Sequence, residues 1–572
     1  MSASIQGEGQ SESRSRPQPG LWFRFLYALR SNPLPWGLAV LSGVMVGGCF
    51  PPWDSHALTW LPWVALAPLC WALWMLPRPS SLKEWSRQAF LLGWLTGTLS
   101  FLISLFWITT VTSAGWVALS MVVGIYHGLW ALFAGVMLRP IGETQEKSKV
   151  WLGSLRNLIV ALLAAAAWVG VEWLRGTLFT GFGWNQLGIS LRSNIPLIQI
   201  ASITGVPGLT FLCVLGASIA AITLERLRRE VSSGKPRPHL DFFAVVFLIV
   251  LVFSHGVKQL GKSSGDTALL RIAGVQGNIP VYDYWDPKRE GKIMEEYVRL
   301  SRLALSGDPD LLVWPEAATP RPLLLDEVIF DQVKDLASKS RADFLIGSVH
   351  YEQNPRGDYN SAILLTGHAS AAQVYNKVHL VPFGEYVPFR HSFPVLAWIE
   401  GNRVPYDFDP GKGPSLLELS VKPVKLGPLV CFEDTLGDLT RRSAALGAQL
   451  LMVLTNDGWF EHSIATRQHL ANAQLRTVEN GLPMVRVADT GISCVIDRFG
   501  RIKQTLHAPD DNTFIQGILQ AEVTVPLHPL PTFYTRHGDL FAKSCLALTA
   551  VVTLAFLFLS RRRTFAGVAS TF

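Results

Sequence analysis

Apolar runs of membrane-spanning length crowd the first 257 positions and return in the last 33, and the roughly 280 residues between them follow much shorter periods. The long runs fall at about 35–51, 57–76, 88–111, 115–138, 156–176, 195–224, 241–257 and 540–560, most near the ~20 residues that cross a bilayer. They predict eight spans, with the first and seventh short. Between them the pattern changes. Leu269 to Gln276, Leu311 to Trp314, Asp343 to Ser348, Leu450 to Leu454 and Met484 to Val487 read as short buried strands. They alternate with helical stretches near 288–305, 325–339 and 465–480, the first carrying Ile293, Met294, Tyr297, Leu300 and Ala304 on one face. Strand and helix in alternation predict a layered α/β domain at 258–539, set between a membrane domain at 35–257 and a final span at 540–560.

Residues 1–20 hold nothing to bury and read as a disordered tail, extending with its basic flank to 34; 561–572 form a second tail. A signal peptide ending at Gly47 and Gly48 is the alternative for the first span. With only 16% charged residues, 20 Trp and a mean hydropathy of +0.27, the composition agrees with a membrane protein carrying a polar insert. The excess charge of +7 is explained by topology: Arg24, Arg30, Arg78, Lys83, Arg139, Lys147, Arg226, Arg228 and Arg561 all fall on one side of alternating spans. The short loops of the other side hold only Arg192. The basic side is therefore cytoplasmic, with both termini, and the α/β domain is external. No nucleic-acid surface is needed to account for the charge.

Cys49, Cys70, Cys213 and Cys545 lie in or beside the apolar runs, as packing residues. Cys431 differs. The stretch Gly427 to Thr435 is an apolar strand that stops at this thiol, with a helix expected next, Asp434 or Thr435 as its N-cap and Gly447 past its end. A thiol at a helix N-terminus can favour thiolate, the nucleophilic form. The alternatives are a packed cysteine or a disulfide to Cys494. Glu316 follows Trp314 and Pro315 where a strand meets a loop, and is a base or a surface cap. Lys377 lies in a strand-like run before a Pro-rich apolar loop bearing Glu385, and a buried ammonium there must find a carboxylate. Gln468, His469, Arg476 and Glu479 share one helix and fit structure better than catalysis. In the membrane half, Glu172 and Arg175 lie one turn apart before Phe182, Gly183 and Trp184; they read equally as an anchoring ion pair or as part of a substrate entrance.

Glu316 in WPE, Lys377 in YNKVHLVPFGEYVPF, Cys431 in CFED, then TNDGWF and ADTGIS occur in an order that resembles the nitrilase superfamily of Glu-Lys-Cys enzymes. With the spans around them they are similar to the apolipoprotein N-acyltransferase family. The resemblance implies an αββα sandwich in which Glu316 is general base, Lys377 stabilises the oxyanion and Cys431 carries a thioester. It also implies supporting positions at Trp285, Glu385, Phe432 and Glu433. The family has Pro more often where this chain has Gly183, and commonly Tyr where it has Phe432. Glu433 disfavours a neighbouring thiolate, which Lys377 would offset.

By that resemblance the acyl donor is a phospholipid, phosphatidylethanolamine by expectation, and the acceptor is the α-amino group of a diacylglyceryl-cysteine lipoprotein. No cofactor or metal is expected, and a monomer is. A long chain costs on the order of 10 kcal/mol to draw from the bilayer, so such a site belongs at the membrane surface. The apolar arm at 380–398, with Phe383, Phe389, Phe393 and Trp398, reads as a lid or as a packed loop. A tethered amidase acting on a small C–N substrate is the rival enzyme, and a binding scaffold or transporter the rival of another class.

Overall fold

The computed structural model describes residues 32–569 except 56–57, 76, 79–80, 139–149, 235–237, 264, 354–355, 389 and 391–406, with side chains through 560 apart from those of Val150 and Trp285. The α/β domain contains β1 (Thr267–Gln276), β2 (Leu311–Trp314), β3 (Asp343–Gln353), β4 (Arg356–Thr366), β5 (Ala371–Asn376) and β6 (Leu417–Glu418). It continues with β7 (Lys425–Val430), β8 (Leu450–Thr455), β9 (Met484–Ala488), β10 (Cys494–Ile496), β11 (Ile502–Thr505) and β12 (Gly517–Pro526). They form two six-stranded sheets, β12-β1-β2-β3-β4-β5 and β11-β10-β9-β8-β7-β6. In each sheet three central strands run parallel, β1, β2 and β3 in one and β7, β8 and β9 in the other.

Parallel neighbours need crossovers, and helices supply them. Glu290–Leu305 and Glu327–Ser338 lie against the first sheet; Gly437–Ala445 and Ala465–Asn480 serve the second. The sheets face each other through Leu270, Ile272 and Leu345 on one side and Val430, Leu454 and Val487 on the other. The layers are therefore helix, sheet, sheet, helix, as expected. β2 and β8 are buried along their whole length because both faces are covered, which is why LLVW and LLMVLT read as unbroken apolar runs.

Among the described residues, five helices are long and apolar enough to cross a membrane: Ser113–Met137, Trp151–Thr177, Val206–Ser233, Leu240–Leu260 and Leu540–Ser560. The remaining three runs of the expected eight take other forms. The run at 35–51 is the 14-residue helix Leu34–Gly47, and that at 57–76 breaks into Leu61–Trp63 and Ala67–Trp74. The third becomes the 23-residue helix Leu82–Ser104, whose N-terminal turns are polar. The sixth run starts late: Ile195–Ile198 and Ala201–Thr204 are single turns, and Gly205 at φ +67° separates them from the long helix that follows. The N-terminal tail through residue 31 lies outside the described residues, as do 389 and 391–398 of the 380–398 arm.

Candidate active site

Glu316, Lys377 and Cys431, 115 positions apart at the extremes of the chain segment, meet where β2, β5 and β7 end. Glu316 is placed by Pro315 just beyond β2 and is 6% exposed. Its carboxylate accepts from Asn360 Nδ2 at 2.8 Å and from the Asn456 backbone N–H at 2.9 Å, and its charge bears on the Cys431 thiol. Lys377 follows β5 and is 1% exposed, with Nζ 3.5 Å from Glu316 and 2.9 Å from Glu385. The buried ammonium thus has the carboxylates its position demanded.

Cys431 leaves β7 at φ +54°, a left-handed conformation rare for a residue with a Cβ. It opens the short 3₁₀ turn Cys431–Thr435, and the helix begins only at Gly437. The expected N-caps have other work. Asp434 faces Arg486 and His469, and the Thr435 hydroxyl donates to the Phe432 carbonyl. Nor does the site favour thiolate in its resting form. Burial, then the Glu316 charge, push the Cys431 thiol well up, and Lys377 only partly opposes them. The thiol is free, as is Cys494, buried on β10.

Burial raises the Glu316 carboxyl, countered by Lys377 and by the Asn360 hydrogen bond. For Lys377, burial works against the charge, and Glu385, Glu316 and Cys431 together override it, leaving the ammonium raised. Glu433 is fully buried and accepts from the N–H groups of Val430, Val378 and His379 and from the Tyr375 hydroxyl. It therefore pins the Lys377 loop to the turn that carries the thiol. Burial still pushes its pKa up to about 7. Glu385 accepts from Asn360 at 3.0 Å and from the Val381 N–H at 2.8 Å.

Phe432 lies between Trp184, parallel within 2° at 6.0 Å, and His379 at 5.9 Å. Its ring fills that space with no hydroxyl. At Gly183 an added Cβ would meet nothing within 4 Å, so the space there does not demand glycine. Trp285 ends the 3₁₀ turn Val281–Trp285, and its side chain lies outside the described atoms.

Sequence reading missed Asn360, whose single Nδ2 bridges Glu316 and Glu385. No local signal marks it: it is one polar residue on β4, buried beside the likewise buried Ser361. It also missed a buried charge cluster beneath the thiol: Arg486 contacts Asp434 at 3.2 Å and Asp457 at 3.1 Å, and His469 contacts both at 2.7 and 2.8 Å. Of the helix residues Gln468, His469, Arg476 and Glu479, Arg476 pairs with Glu479, which also accepts the Val206 N–H at the start of a membrane helix and so anchors the two halves. The Glu172 and Arg175 pair is an anchor as well. Glu172 accepts from the Leu187 N–H and the Thr210 hydroxyl, while Arg175 donates to the Trp184 carbonyl, so the two hold the 182–191 loop in place.

Residues 42–219 match the family profile of the apolipoprotein N-acyltransferase N-terminal domain, and residues 271–526 match that of carbon-nitrogen hydrolases. The chain is 35% identical over 529 residues to the apolipoprotein N-acyltransferase of Geobacter metallireducens, covering 91% of this chain and 95% of that protein. The chain belongs to the apolipoprotein N-acyltransferase family. The Rhodopseudomonas palustris member is 28% identical over 548 residues, covering 91% of this chain and 96% of its own. That of Bradyrhizobium diazoefficiens is 33% identical over 422, covering 71% and 74%. As an apolipoprotein N-acyltransferase family member the chain joins an apolar helical half to a carbon-nitrogen hydrolase fold, and its half-buried Cys431 lies beside the seam between them.

Proposed function

We propose that the protein moves an acyl chain from a phospholipid to the α-amino group of an N-terminal diacylglyceryl-cysteine on a lipoprotein, the last step in maturing that lipoprotein. One observation carries the reading: the Cys431 thiol lies within the influence of the Glu316 carboxylate and the Lys377 ammonium, themselves 3.5 Å apart, at the face where aromatic residues of the membrane half meet the α/β domain.

In the first half-reaction Glu316 takes the thiol proton as sulfur attacks the ester carbonyl. Lys377 meets the charge developing on the carbonyl oxygen, and removing such a donor typically costs about 10²–10³ in rate. The C–O bond breaks, the glyceryl oxygen leaves with the proton held by Glu316, and the lysophospholipid departs, leaving a thioester. The acceptor amine then attacks that carbonyl and gives a proton to Glu316, the C–S bond breaks, and the amide leaves as Glu316 passes that proton to sulfur. Splitting one hard acyl transfer in two is the gain from covalent catalysis. The donor is proposed to be phosphatidylethanolamine, and the working unit a monomer.

Eight crossings, five by the long apolar helices and three by the runs at 35–51, 57–76 and 88–111, fit the basic-loop pattern of a bacterial inner-membrane protein. That pattern places both termini in the cytoplasm and the catalytic domain in the periplasm. The test uses purified protein in phosphatidylethanolamine vesicles with a diacylglyceryl lipopeptide. Lysophospholipid and N-acylated lipopeptide should appear in equal amounts, and Cys431→Ala should make neither. Ammonia release from small amides without acyl transfer would favour the amidase reading instead.

A further inference from the structure

Gln468 is fully buried in the helix Ala465–Asn480, yet every partner of its amide comes from the membrane half. Oε1 accepts from Trp184 Nε1 at 2.9 Å, Trp107 Nε1 at 3.1 Å and Asn185 Nδ2 at 3.1 Å. Nε2 donates to the carbonyls of Pro51 and Ser104, both at 2.8 Å. One side chain therefore gathers three separate segments of the membrane half. Buried donors and acceptors left without partners are costly, so this amide holds its neighbours to one arrangement.

That arrangement reaches the thiol. Trp184, whose indole N–H is held by Gln468 and whose carbonyl is held by Arg175, lies flat on Phe432, the residue after Cys431. Trp107 packs edge-on against Phe460 at 4.7 Å, closing the other side of the same cluster.

We propose that Gln468 is a positioning residue for acyl transfer: by clamping Trp184 over Phe432 it lets the membrane half set the wall beside Cys431. The inference rests on the proposed reading of Cys431 as the acylated nucleophile. Gln468 touches neither the thiol nor the two charges around it, and acts through Trp184.

The test is made on the full chain in phosphatidylethanolamine vesicles with a lipopeptide acceptor, comparing Gln468→Met, Trp184→Ala and Trp184→Phe. Each rate is divided by the folded protein present, read from the amplitude of its cooperative thermal melt, so unfolded protein drops out. The expected result is a kcat per folded protein lowered about ten-fold or more in Gln468→Met and Trp184→Ala, with KM for the lipopeptide within about three-fold of the parent. Trp184→Phe, which keeps a ring over Phe432, should recover most of the loss. An unchanged normalised kcat in Trp184→Ala, or a Trp184→Phe protein no better than Trp184→Ala, overturns the proposal. If Gln468→Met does not fold, the two Trp184 variants decide it. Cys431→Ala separates the two levels: transfer surviving in that variant would refute the nucleophile, whatever the clamp does.

Discussion

A single ammonium shared by two buried carboxylates dominates the site at the scale of residues. Removing Lys377 leaves Glu316 and Glu385 facing each other in a region that excludes water, and an uncompensated buried charge costs about 3–5 kcal/mol. Lys377→Met should therefore lower the melting temperature measurably and reduce acyl transfer by about 10²–10³, read from melting curves and product formation. Glu316 works as a base only when ionised. Because burial raises its pKa, the acidic limb of the transfer rate should lie above the ordinary carboxylate range. The Asn360 hydrogen bond lowers that pKa, so Asn360→Ala should move the limb further up, visible in a pH–rate profile. Glu316 and Cys431 stood out in the sequence because each sits where an apolar strand stops, and Lys377 because an ammonium in a strand-like run must find a carboxylate. Asn360 did not, since nothing local distinguishes a buried Asn on a strand from an exposed one, and its two carboxylate partners lie 44 and 25 positions away.

At the scale of elements, strand ends are held to one another by close backbone contact and by buried charge. Gly347 on β3 passes so near the end of β2 that a Cβ there would stand 2.0 Å from the Pro315 carbonyl and 2.7 Å from Glu316 Cα. Gly347→Ala must displace the backbone that presents Glu316. It should cost about 1–3 kcal/mol in denaturant unfolding and reduce transfer even when folded. Asp434 after β7, Asp457 after β8, Arg486 on β9 and His469 on the helix form the charge cluster that joins four elements. For His469 burial lowers the pKa, but Asp434 and then Asp457 outweigh it and Arg486, lifting it to about 9. A raised folded-state pKa means stability that is complete below the unfolded value near 6.5 and is lost as pH rises through about 9. The melting temperature should fall across that window, and His469→Asn should flatten the fall while lowering stability at neutral pH. Strands such as LLVW and LLMVLT were readable because burial on both faces leaves an apolar run. The turn at Cys431 was misread as a helix start, because a 3₁₀ turn and a first helical turn share the same acidic signature.

For the whole molecule, the apolar half and the α/β domain are joined through Gln468, Glu479 and the aromatic cluster around Trp107, Trp184 and Phe432. None of this was visible in sequence, since the contacts across the seam join residues more than 240 positions apart and follow no period. The run lengths did reveal a membrane half, but they counted broken or polar-ended helices as full spans. With the proposed orientation, a membrane-impermeant protease added to spheroplasts should cut within 258–539 and spare the loop at 139–149. The most direct test of the chemistry is mass spectrometry of the Cys431 peptide after incubating the protein with phosphatidylethanolamine vesicles and no acceptor. The account predicts a fatty-acyl thioester on Cys431, released by hydroxylamine and discharged when lipopeptide is added. An unmodified Cys431 in protein that still transfers acyl chains would contradict it.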